Sequence, residues 1–381
     1  MRIDWLSHPG ALAALEPPWR DLEAAVTYRT HLSSFDFLFT WYRRYAGRYG
    51  GTPLIGLAWH GRELVGVAPL TLVHGRAGGV PVARVTFAPS DVPAGEFLIR
   101  DDRPEVAAAL LPSLMRTIGF DVVCLDGFDP ASPHLAALED AARRLGIAVH
   151  TDDHAFAMVD LRAGYDDYCA RLSGHYRRNL NAKARKIEAA GAIVDGVYRT
   201  DAAERIESAI ARLIAITEAS YKLEGRRLAE AHRAFLGDLV RRLARRATLA
   251  LPILSIGGRD AAFILGVLER GCFYDVTLAY DESFAKVSPG AFLMQRLLQQ
   301  LAGAGVHTVV SHGAHEYKKH WATTFVPQRR ALFFTRTLAG SAARLVRVAL
   351  RPLRQRAHGT PETEPPPSTG EPLRSPVGAI P

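Results

Sequence analysis

The sequence predicts a mixed α/β fold built from two similar halves. The chain has 381 residues, of which 48% are hydrophobic and 23% charged, so it can form the cores of two or three domains of roughly 100 to 200 residues. Apolar β-rich runs alternate with helical patterns along most of it, which is typical of α/β and α+β chains. One arrangement of hairpin, helix and strand occurs twice. We therefore predict two tandem domains, at residues 1–150 and 151–335, each with a mixed central sheet flanked by helices.

Each half contains a predicted hairpin. Apolar, β-branched runs joined by short turns that contain glycine are typical of paired strands. The turns are 60–62 and 257–260, and the predicted strands around them are 54–59, 64–72, 250–256, 262–268 and 273–279. Two hairpins of the same kind are the first indication of an internal repeat.

A helix and a strand then follow with the same punctuation in both halves. Proline opens the helical pattern, glycine ends it and an apolar strand comes next, at Pro104, Gly119 and 122–125 and again at Pro289, Gly305 and 308–310. Proline suits the first turn because the amide that it lacks has no helical partner there, and glycine suits the left-handed residue after the last turn. The prolines are 185 residues apart and the glycines 186, so we interpret the chain as a duplication.

Further helices are predicted at the start of the second half. Residues 171–186 contain six Lys or Arg and no acid, and helical patterns continue at 202–221 and 232–247. A basic run of this kind is typical either of a solvated helix face or of a surface that binds an anion. Arg177 and Arg178, beside a histidine and a tyrosine, are therefore candidates for binding an anionic or sugar-phosphate substrate.

The net positive charge is concentrated near the C terminus. The chain has 47 Lys and Arg against 39 Asp and Glu, a net charge of +8, and residues 325–358 hold eight Arg with no Lys and no acid. Residues 336–358 are predicted to form a basic amphipathic helix. This helix could lie on an anionic membrane surface or a nucleic acid, or pack on its own domain with a solvated arginine face. Residues 359–381 contain seven prolines and no apolar periodicity, and we predict that they are disordered.

The cellular compartment is predicted from cysteine usage and from the N terminus. Cys124, Cys169 and Cys272 are too far apart and too few for a disulfide framework or a clustered thiolate zinc site. The first residues show no secretory signal pattern, and no run approaches the ~18 apolar residues that a membrane span needs. We predict a cytoplasmic protein, with peripheral contact at the inner face of a membrane if the basic helix binds lipid.

Several segments carry a family resemblance. They are RRNLNAKARKIEAAG at 177–191, YDVTLAYDESFAKVSPGAFLMQRLL at 274–298 and YKKHWA at 317–322, with WHGRELVGVAPL at 59–70 and PSDVPAGEFLI at 89–99 in the first half. Together they resemble the CelD/BcsL-type acetyltransferases, members of the GNAT superfamily that are similar in fold to the FemAB peptidyltransferases. The resemblance spans roughly residues 30–335. It implies two tandem GNAT-like domains and an acyl-CoA-dependent N-acyltransferase, of a kind often associated with exopolysaccharide or cellulose biosynthesis.

The resemblance also implies acetyl-CoA, or another acyl-CoA, as co-substrate. Residues 286–291 join a strand to a helix, and backbone amides at a helix N terminus can hold a pyrophosphate. Ser288, Gly290 and Ala291 are therefore candidates for binding the pyrophosphate. The alternative is an ordinary strand-to-helix connection that binds nothing. The corresponding turn of the first half, residues 101–103, is acidic, so only the second half is expected to bind acyl-CoA.

Acyl transfer to an amine also needs a proton acceptor for the amine and a proton donor for the leaving thiolate. Tyr317 is the candidate donor, Asp275 the candidate base or amine-orienting carboxylate, and Lys318 a candidate for binding a phosphate or carboxylate. Alternatively, Tyr317 packs its ring, Lys318 is a solvated charge and Asp275 points outward. After the last strand, where the family tends to have an acidic residue and a glycine, this chain has Ser311-His312-Gly313.

Asp91 completes the substrate-binding candidates. It could point into a cleft between the halves, where a sugar-related or amine-bearing acceptor would lie, or it could cap a turn. No metal site is predicted, because His315 and His320 are five residues apart, whereas HExxH holds its two histidines four apart on one helix face. Two rival functions stay open: a FemAB-like transferase that uses an aminoacyl-tRNA, and a non-catalytic scaffold of polysaccharide synthesis. A nucleic acid is an expected partner only under the first rival.

Overall fold

The computed structural model describes residues 1–27, 30–47, 51–77, 79–89, 92, 94–198, 202–220, 223, 227–313 and 316–350. The described part of the chain forms two compact units: an N-terminal unit, made of Met1–His154 and residues 327–350, and a C-terminal unit, Ala155–Val326. The sequence predicts a boundary at residue 150 and a second half that ends at 335. In the structure the chain returns to the N-terminal unit at Pro327, because the residues that follow form a strand paired with Val122–Phe128.

Strands and helices alternate along the chain. The strands are β1 (Arg2–Leu6), β2 (Thr52–His60), β3 (Glu63–Ala77), β4 (Val80–Phe87), β5 (Leu98–Ile99), β6 (Val122–Phe128), β7 (Ala148–Asp160), β8 (Ala192–Tyr198), β9 (Leu249–Ile256), β10 (Arg259–Glu269), β11 (Cys272–Tyr280), β12 (Thr308–Ser311) and β13 (Thr324–Phe334). The helices are α1 (Glu16–Ala25), α2 (Phe35–Tyr45), α3 (Glu105–Thr117), α4 (Pro133–Arg144), α5 (Tyr165–Arg171), α6 (Gly174–Ala189), α7 (Ala203–Glu218), α8 (Glu230–Arg245), α9 (Pro289–Gly303) and α10 (Leu338–Arg344). Short 3₁₀ helices lie at Pro9–Leu15, His31–Ser33, Glu282–Val287 and Glu316–His320, and a π-helix at Leu345–Leu350 extends α10.

The sheet of the N-terminal unit has the strand order β1-β2-β3-β4-β6-β13. Neighbours from β1 to β4 are antiparallel, β4 and β6 are parallel, and β6 and β13 are antiparallel. Parallel neighbours need a crossover connection, and α3 lies in the connection between β4 and β6. The predicted hairpin, helix and strand of the first half are therefore all present.

The sheet of the C-terminal unit repeats this series of pairings. Its order is β8-β9-β10-β11-β12-β7. Neighbours from β8 to β11 are antiparallel, β11 and β12 are parallel with α9 in their connection, and β12 and β7 are antiparallel. This repetition confirms the predicted mixed α/β fold with two similar units.

Each unit has its own hydrophobic core. In the N-terminal unit Phe87, Phe97 and Phe128 form one aromatic cluster, with ring centroids 5.0 to 5.8 Å apart. In the C-terminal unit α9 covers the sheet with a buried face that includes Phe292, Leu293, Leu297 and Leu301. Burial of each such side chain contributes about 1.5–3 kcal/mol, so this face holds α9 against the sheet.

Within the ranges that the structure describes, no helix combines the length and the apolar composition that crossing a bilayer requires.

Candidate functional site

The C-terminal unit contains a pair of parallel strands whose pairing ends before one of them does. β11 and β12 pair only from Cys272 and Thr308 to Asp275 and Ser311. β12 ends at Ser311, whereas β11 continues to Tyr280 and leads through a 3₁₀ helix into α9. In mixed sheets, ligands bind outside the carboxyl ends of such strands, where the connections diverge. The structure therefore points to this end of β11 and β12 as the candidate site.

Asp275 and Ser311 face each other where the pairing ends. The Ser311 hydroxyl donates a hydrogen bond of 2.7 Å to Oδ2 of Asp275, and Ser311 is only 1% exposed. The other carboxylate oxygen, Oδ1, is buried and has no hydrogen-bond partner among the described residues. A buried polar atom without a partner costs about 1–3 kcal/mol, and more when it is charged. The Oδ1 atom is thus an acceptor that a ligand could satisfy.

His312 directly follows Ser311 in the chain and lies beside the buried Lys318. Its ring nitrogens are shielded from solvent, and its ring centroid is 6.1 Å from that of Phe156. Burial, together with the positive charge of Lys318, lowers the pKa of His312 from 6.5 to about 4. The imidazole is therefore neutral near pH 7. His312 stands before Gly313, at the place where the CelD/BcsL-type acetyltransferases tend to have an acidic residue before a glycine.

Lys318 is not placed for the role that the sequence suggested. It is only 3% exposed, and its ammonium group donates to the backbone carbonyl of His312. A lysine that is buried against a carbonyl is not a solvated charge, and it is not open to bind a phosphate. The structure assigns it to fixing the loop after β12 and to keeping His312 neutral.

Of the candidates Tyr317 and Asp91, only Tyr317 lies among the described residues. Tyr317 lies on the 3₁₀ helix after β12 and is 58% exposed, with the Lys318 ammonium 5.9 Å from its ring centroid. Its ring is thus not packed in the core, and the phenol is accessible to a ligand. Asp91, as well as His315 of the excluded metal motif, lies outside the described residues.

The start of α9 only partly matches the predicted pyrophosphate cradle. Ser288 precedes the helix with φ 56°, a left-handed backbone that is uncommon for a non-glycine residue. Its N–H donates to the carbonyl of Ala285, and the N–H of Ala291 donates to the carbonyl of Ser288, both at 3.1 Å. Gly290 makes neither of these turn bonds, and a Cβ there would lie 3.3 Å from Leu278. Of the three predicted residues, Gly290 is therefore the one whose N–H is outside these turn bonds, although Leu278 and Tyr280 lie close to its backbone.

Lys183 supplies a cation beside Ser288, at the start of α9, that the sequence did not predict. It lies on α6, is half-buried and donates a hydrogen bond of 2.9 Å to the hydroxyl of Ser288. A cation and the positive end of a helix dipole at one place favour an anionic ligand. Lys183 is within the basic run identified from the sequence, but nothing in that run distinguishes it from its neighbours.

Arg177 and Arg178 lie on the exposed side of α6. Arg177 donates to the backbone carbonyl of Cys169 at 3.1 Å, and Ser173 caps the helix by accepting from the N–H of Tyr176. Both guanidinium groups are accessible. Among the described residues, no group of three or more His, Cys, Asp or Glu side chains is arranged to hold a metal ion.

A comparison with protein families decides the class of this unit. Residues 174–319 match the family model described as "Acetyltransferase (GNAT) domain". The chain carries a GNAT-type acyltransferase domain. The match begins with α6 and ends in the 3₁₀ helix of Tyr317, so it includes Lys183, Asp275, Ser311 and the start of α9. It confirms the predicted GNAT-type acyltransferase, while the CelD/BcsL type stays a prediction. No curated protein matches the chain.

Solved structures show the same fold across most of the chain. One is the C-terminal domain of a putative lysylphosphatidylglycerol synthetase from Agrobacterium fabrum, with 12% identity, coverage of 88% of this chain and 97% of that one, and a TM-score of 0.58. L-PGS from Bacillus licheniformis has 15% identity, coverage of 89% and 97%, and a TM-score of 0.54. FemX has 12% identity, coverage of 86% and 97%, and a TM-score of 0.54. At these identities the similarity establishes the fold alone.

Proposed function

We propose that this protein is an acyl-CoA-dependent N-acyltransferase that transfers an acetyl group from acetyl-CoA to an amine. The observation that carries the proposal is the match of residues 174–319 to an acetyltransferase (GNAT) domain. The acceptor that we propose is a sugar-related or other amine-bearing small molecule, and the CelD/BcsL resemblance suggests a role in exopolysaccharide or cellulose biosynthesis.

Asp275 is the proposed proton acceptor for the amine. An ammonium group must lose a proton before its nitrogen can attack a carbonyl. The Oδ1 atom of Asp275 is buried without a partner among the described residues, while Ser311 holds Oδ2. An amine N–H that donates to Oδ1 would be oriented by the carboxylate and would then give up its proton to it. Asp275 thus both selects an amine and activates it.

The start of α9 is the proposed contact for the diphosphate of the co-substrate. Acetyl-CoA supplies the thioester that the reaction breaks. The N terminus of α9 and the Lys183 ammonium at Ser288 fit a dianionic group. The occupied amides of Ser288 and Ala291 make Lys183 a larger contributor to this site than the sequence alone indicated.

Tyr317 is the proposed proton donor to the leaving sulfur. A thiolate leaves more readily when it is protonated as the carbon–sulfur bond breaks. Tyr317 is accessible and follows β12 on the chain, at the end of the sheet where Asp275 lies. Arg177 and Arg178 are proposed to bind anionic groups of the acceptor. Peripheral membrane contact is proposed for the C-terminal helix and does not depend on this site.

Calorimetric titration of the full chain with acetyl-CoA tests the donor. We expect the wild type to bind, and Lys183→Gln to bind about 10- to 100-fold more weakly because a hydrogen bond to a charged group contributes about 1.5–3 kcal/mol. Gly290→Asp should abolish binding, since it puts a negative charge at the helix N terminus where a phosphate would lie. Lack of binding by the wild type would contradict the proposal.

Matched variants separate charge from shape. Lys186→Gln removes one charge from the last turn of the same helix, and Gly290→Asn adds a side chain of the same size as aspartate without its charge. Both should retain most of the binding. Transfer is then followed by thiol release with glucosamine as a soluble amino-sugar probe, so that a failure of acceptor choice is distinguished from a failure of donor binding.

A second candidate is transfer from an aminoacyl-tRNA. The exposed basic side chains of α6 favour it; they are Arg177, Arg178, Arg185 and Lys186. Binding to a charged tRNA would weaken steeply as salt is raised, because lysine and arginine displace counterions from phosphates. Alanyl-tRNA that binds at low salt and supports transfer when acetyl-CoA does not would establish this candidate. Negligible affinity at low salt would remove it.

A further inference from the structure

The C-terminal helix buries its small residues and exposes its large apolar ones. α10 and the π-helix that extends it run from Leu338 to Leu350. Gly340 and Ala343 are buried, whereas Leu338 is 93% exposed, Leu345 58% and Val348 40%. A surface helix of a globular protein normally has the opposite orientation, with its large apolar side chains toward the core. We call Leu338, Leu345 and Val348 the exposed stripe.

The orientation of this helix is fixed by specific contacts of its buried side. Ala343 packs in a small core cluster with Val82, Val122, Leu332 and Phe334. A Cβ on Gly340 would lie only 2.7 Å from the carbonyl oxygens of Asp121 and Thr335, so the helix backbone lies against them without space for a larger residue. The exposed stripe therefore cannot rotate inward without separating the helix from the unit.

Polar contacts hold both ends of the same face. Thr337 caps α10 by accepting from the N–H of Gly340 at 2.9 Å and donates to Oδ1 of Asp121 at 2.6 Å. Further along, the guanidinium of Arg347 forms an ion pair with Asp152 and is only 11% exposed. Arg347 is thus a structural residue and not part of a solvated arginine face, which corrects part of the helix pattern expected from the sequence.

The exposed stripe lies in a stretch of the chain whose charges are all positive. Residues 325–358 hold eight Arg, no Lys and no acid. Arg329, Arg330 and Arg347 pair with aspartates of the N-terminal unit, whereas Arg336 and Arg344 are exposed. The sequence continues with further arginines at 351, 354 and 356, outside the described residues. Exposed apolar side chains on the same helix as an exposed arginine complement a surface that is apolar below and anionic at its boundary.

We propose that the helix Leu338–Leu350 docks on an anionic membrane surface. Leu338, Leu345 and Val348 enter the boundary between headgroups and acyl chains, and Arg344 contacts lipid phosphates beside them. Helices that lie in the membrane interface combine these two terms, buried apolar area and attraction to anionic lipid. Exposed large apolar side chains grouped on one helix mark interaction sites, and the exposed Arg336 and Arg344 beside them favour lipid over an apolar groove of a protein. The surface belongs to the N-terminal unit and is independent of the proposed acyl transfer in the C-terminal unit.

Sedimentation of the full chain with vesicles tests this proposal. We expect binding to vesicles of equal parts phosphatidylglycerol and phosphatidylcholine, and at least tenfold weaker binding to pure phosphatidylcholine. The triple variant Leu338→Ser, Leu345→Ser, Val348→Ser should bind the anionic vesicles at least tenfold more weakly, because its apolar contribution is lost. These side chains are exposed, so the variant should fold, which unchanged circular dichroism and acetyl-CoA titration would verify.

An exposed apolar side chain outside the helix provides the control. Ile193→Ser removes an exposed apolar side chain (63% exposed) from β8 and should leave vesicle binding unchanged, whereas Arg344→Gln should weaken it about fivefold. Equal binding of the triple variant and the wild type would overturn the proposal, as would equal binding to neutral and anionic vesicles. Absence of vesicle binding, with a dimer in analytical ultracentrifugation that the triple variant loses, would assign the stripe to a second copy of the chain instead.

Discussion

At the scale of the residue, the chemistry of the C-terminal unit depends on the two oxygens of Asp275. One accepts from Ser311 at 2.7 Å, and the other is buried without a partner among the described residues. A hydrogen bond on one oxygen fixes the plane of the carboxylate, so the other oxygen points in a defined direction. Ser311 is therefore a positioning residue, and Asp275 is the proposed catalytic one.

Asp275→Asn should lower kcat by about 10²–10⁴, the range for loss of a general base. Ser311→Ala should lower it about 10- to 100-fold, since a hydrogen bond to a charged group contributes about 1.5–3 kcal/mol. Neither should change the dissociation constant of acetyl-CoA. Steady-state kinetics with calorimetry on the same variants checks this, with Ser283→Ala on the nearby 3₁₀ helix as control. A KM effect at unchanged kcat would contradict the assignment.

His312 should make the fold sensitive to acid. Its pKa is about 4 in the folded state against 6.5 when unfolded, because burial and Lys318 disfavour the charged form. The unfolded chain thus binds the proton first as the pH falls from 6.5 toward 4, and the free energy of unfolding decreases by up to about 3 kcal/mol. Urea unfolding at a series of pH values should show this slope in the wild type and in His175→Gln. The slope should be smaller in His312→Gln, and an unchanged slope there would exclude His312 as its source.

At the scale of the element, the pairing of β10 with β11 is irregular where the site begins. The register shifts between Leu265 and Gly266, so that Gly266 lies opposite Asp275. A β-bulge of this kind redirects the side chains that follow it. A Cβ on Gly266 would lie 2.1 Å from the Phe273 ring, which is fully buried. The absence of a side chain at Gly266 therefore allows the bulge and the core to coexist.

Gly266→Ala should destabilise the C-terminal unit by about 1–3 kcal/mol, the usual effect of overpacking a filled core. Gly75→Ala is the matched control, because it also lies in a strand but a Cβ there would have no atom within 4 Å. The control should change stability by less than about 1 kcal/mol in either direction. Denaturant midpoints of both variants measure the difference, and equal midpoints would show that Phe273 can move aside.

At the scale of the whole molecule, the N-terminal unit is completed by a strand from beyond the C-terminal unit. β13 pairs with β6 from Ala331 and Leu125 to Phe334 and Val122. Ala331 and Phe333 belong to the main core of that unit. The two similar units are therefore not formed by two consecutive segments of the chain.

A chain that ends at Val326 should lose the stability of its N-terminal unit. The cut removes residues 327–334, the part of β13 that pairs with β6, and leaves the backbone groups on that side of β6 without partners, which is costly for a buried strand. Limited proteolysis with mass spectrometry should find the first cleavages within residues 1–154. A chain that ends at Leu350 keeps β13 and α10 and should resist cleavage there. Equal resistance of both chains would contradict the role of β13.

Local sequence patterns were enough to predict the helices and strands and their repetition. Hairpins, the proline and glycine at the ends of α3 and α9, and the strands after them depend on local backbone preferences and on apolar periodicity, which can be read from adjacent residues. It also located Asp275, the start of α9 and the basic helix α6. These features need no knowledge of what packs against them.

The tertiary structure decided which side chains meet. Lys183 reaches Ser288 from 105 residues away in sequence, Lys318 is buried against His312, β13 returns to the N-terminal unit, and α10 presents leucines outward. Each of these depends on the register and packing of elements that are distant in the chain. The type of a residue and its sequence neighbours define what chemistry it can perform. Only the packed fold defines which group it hydrogen-bonds and which of its atoms can contact a ligand.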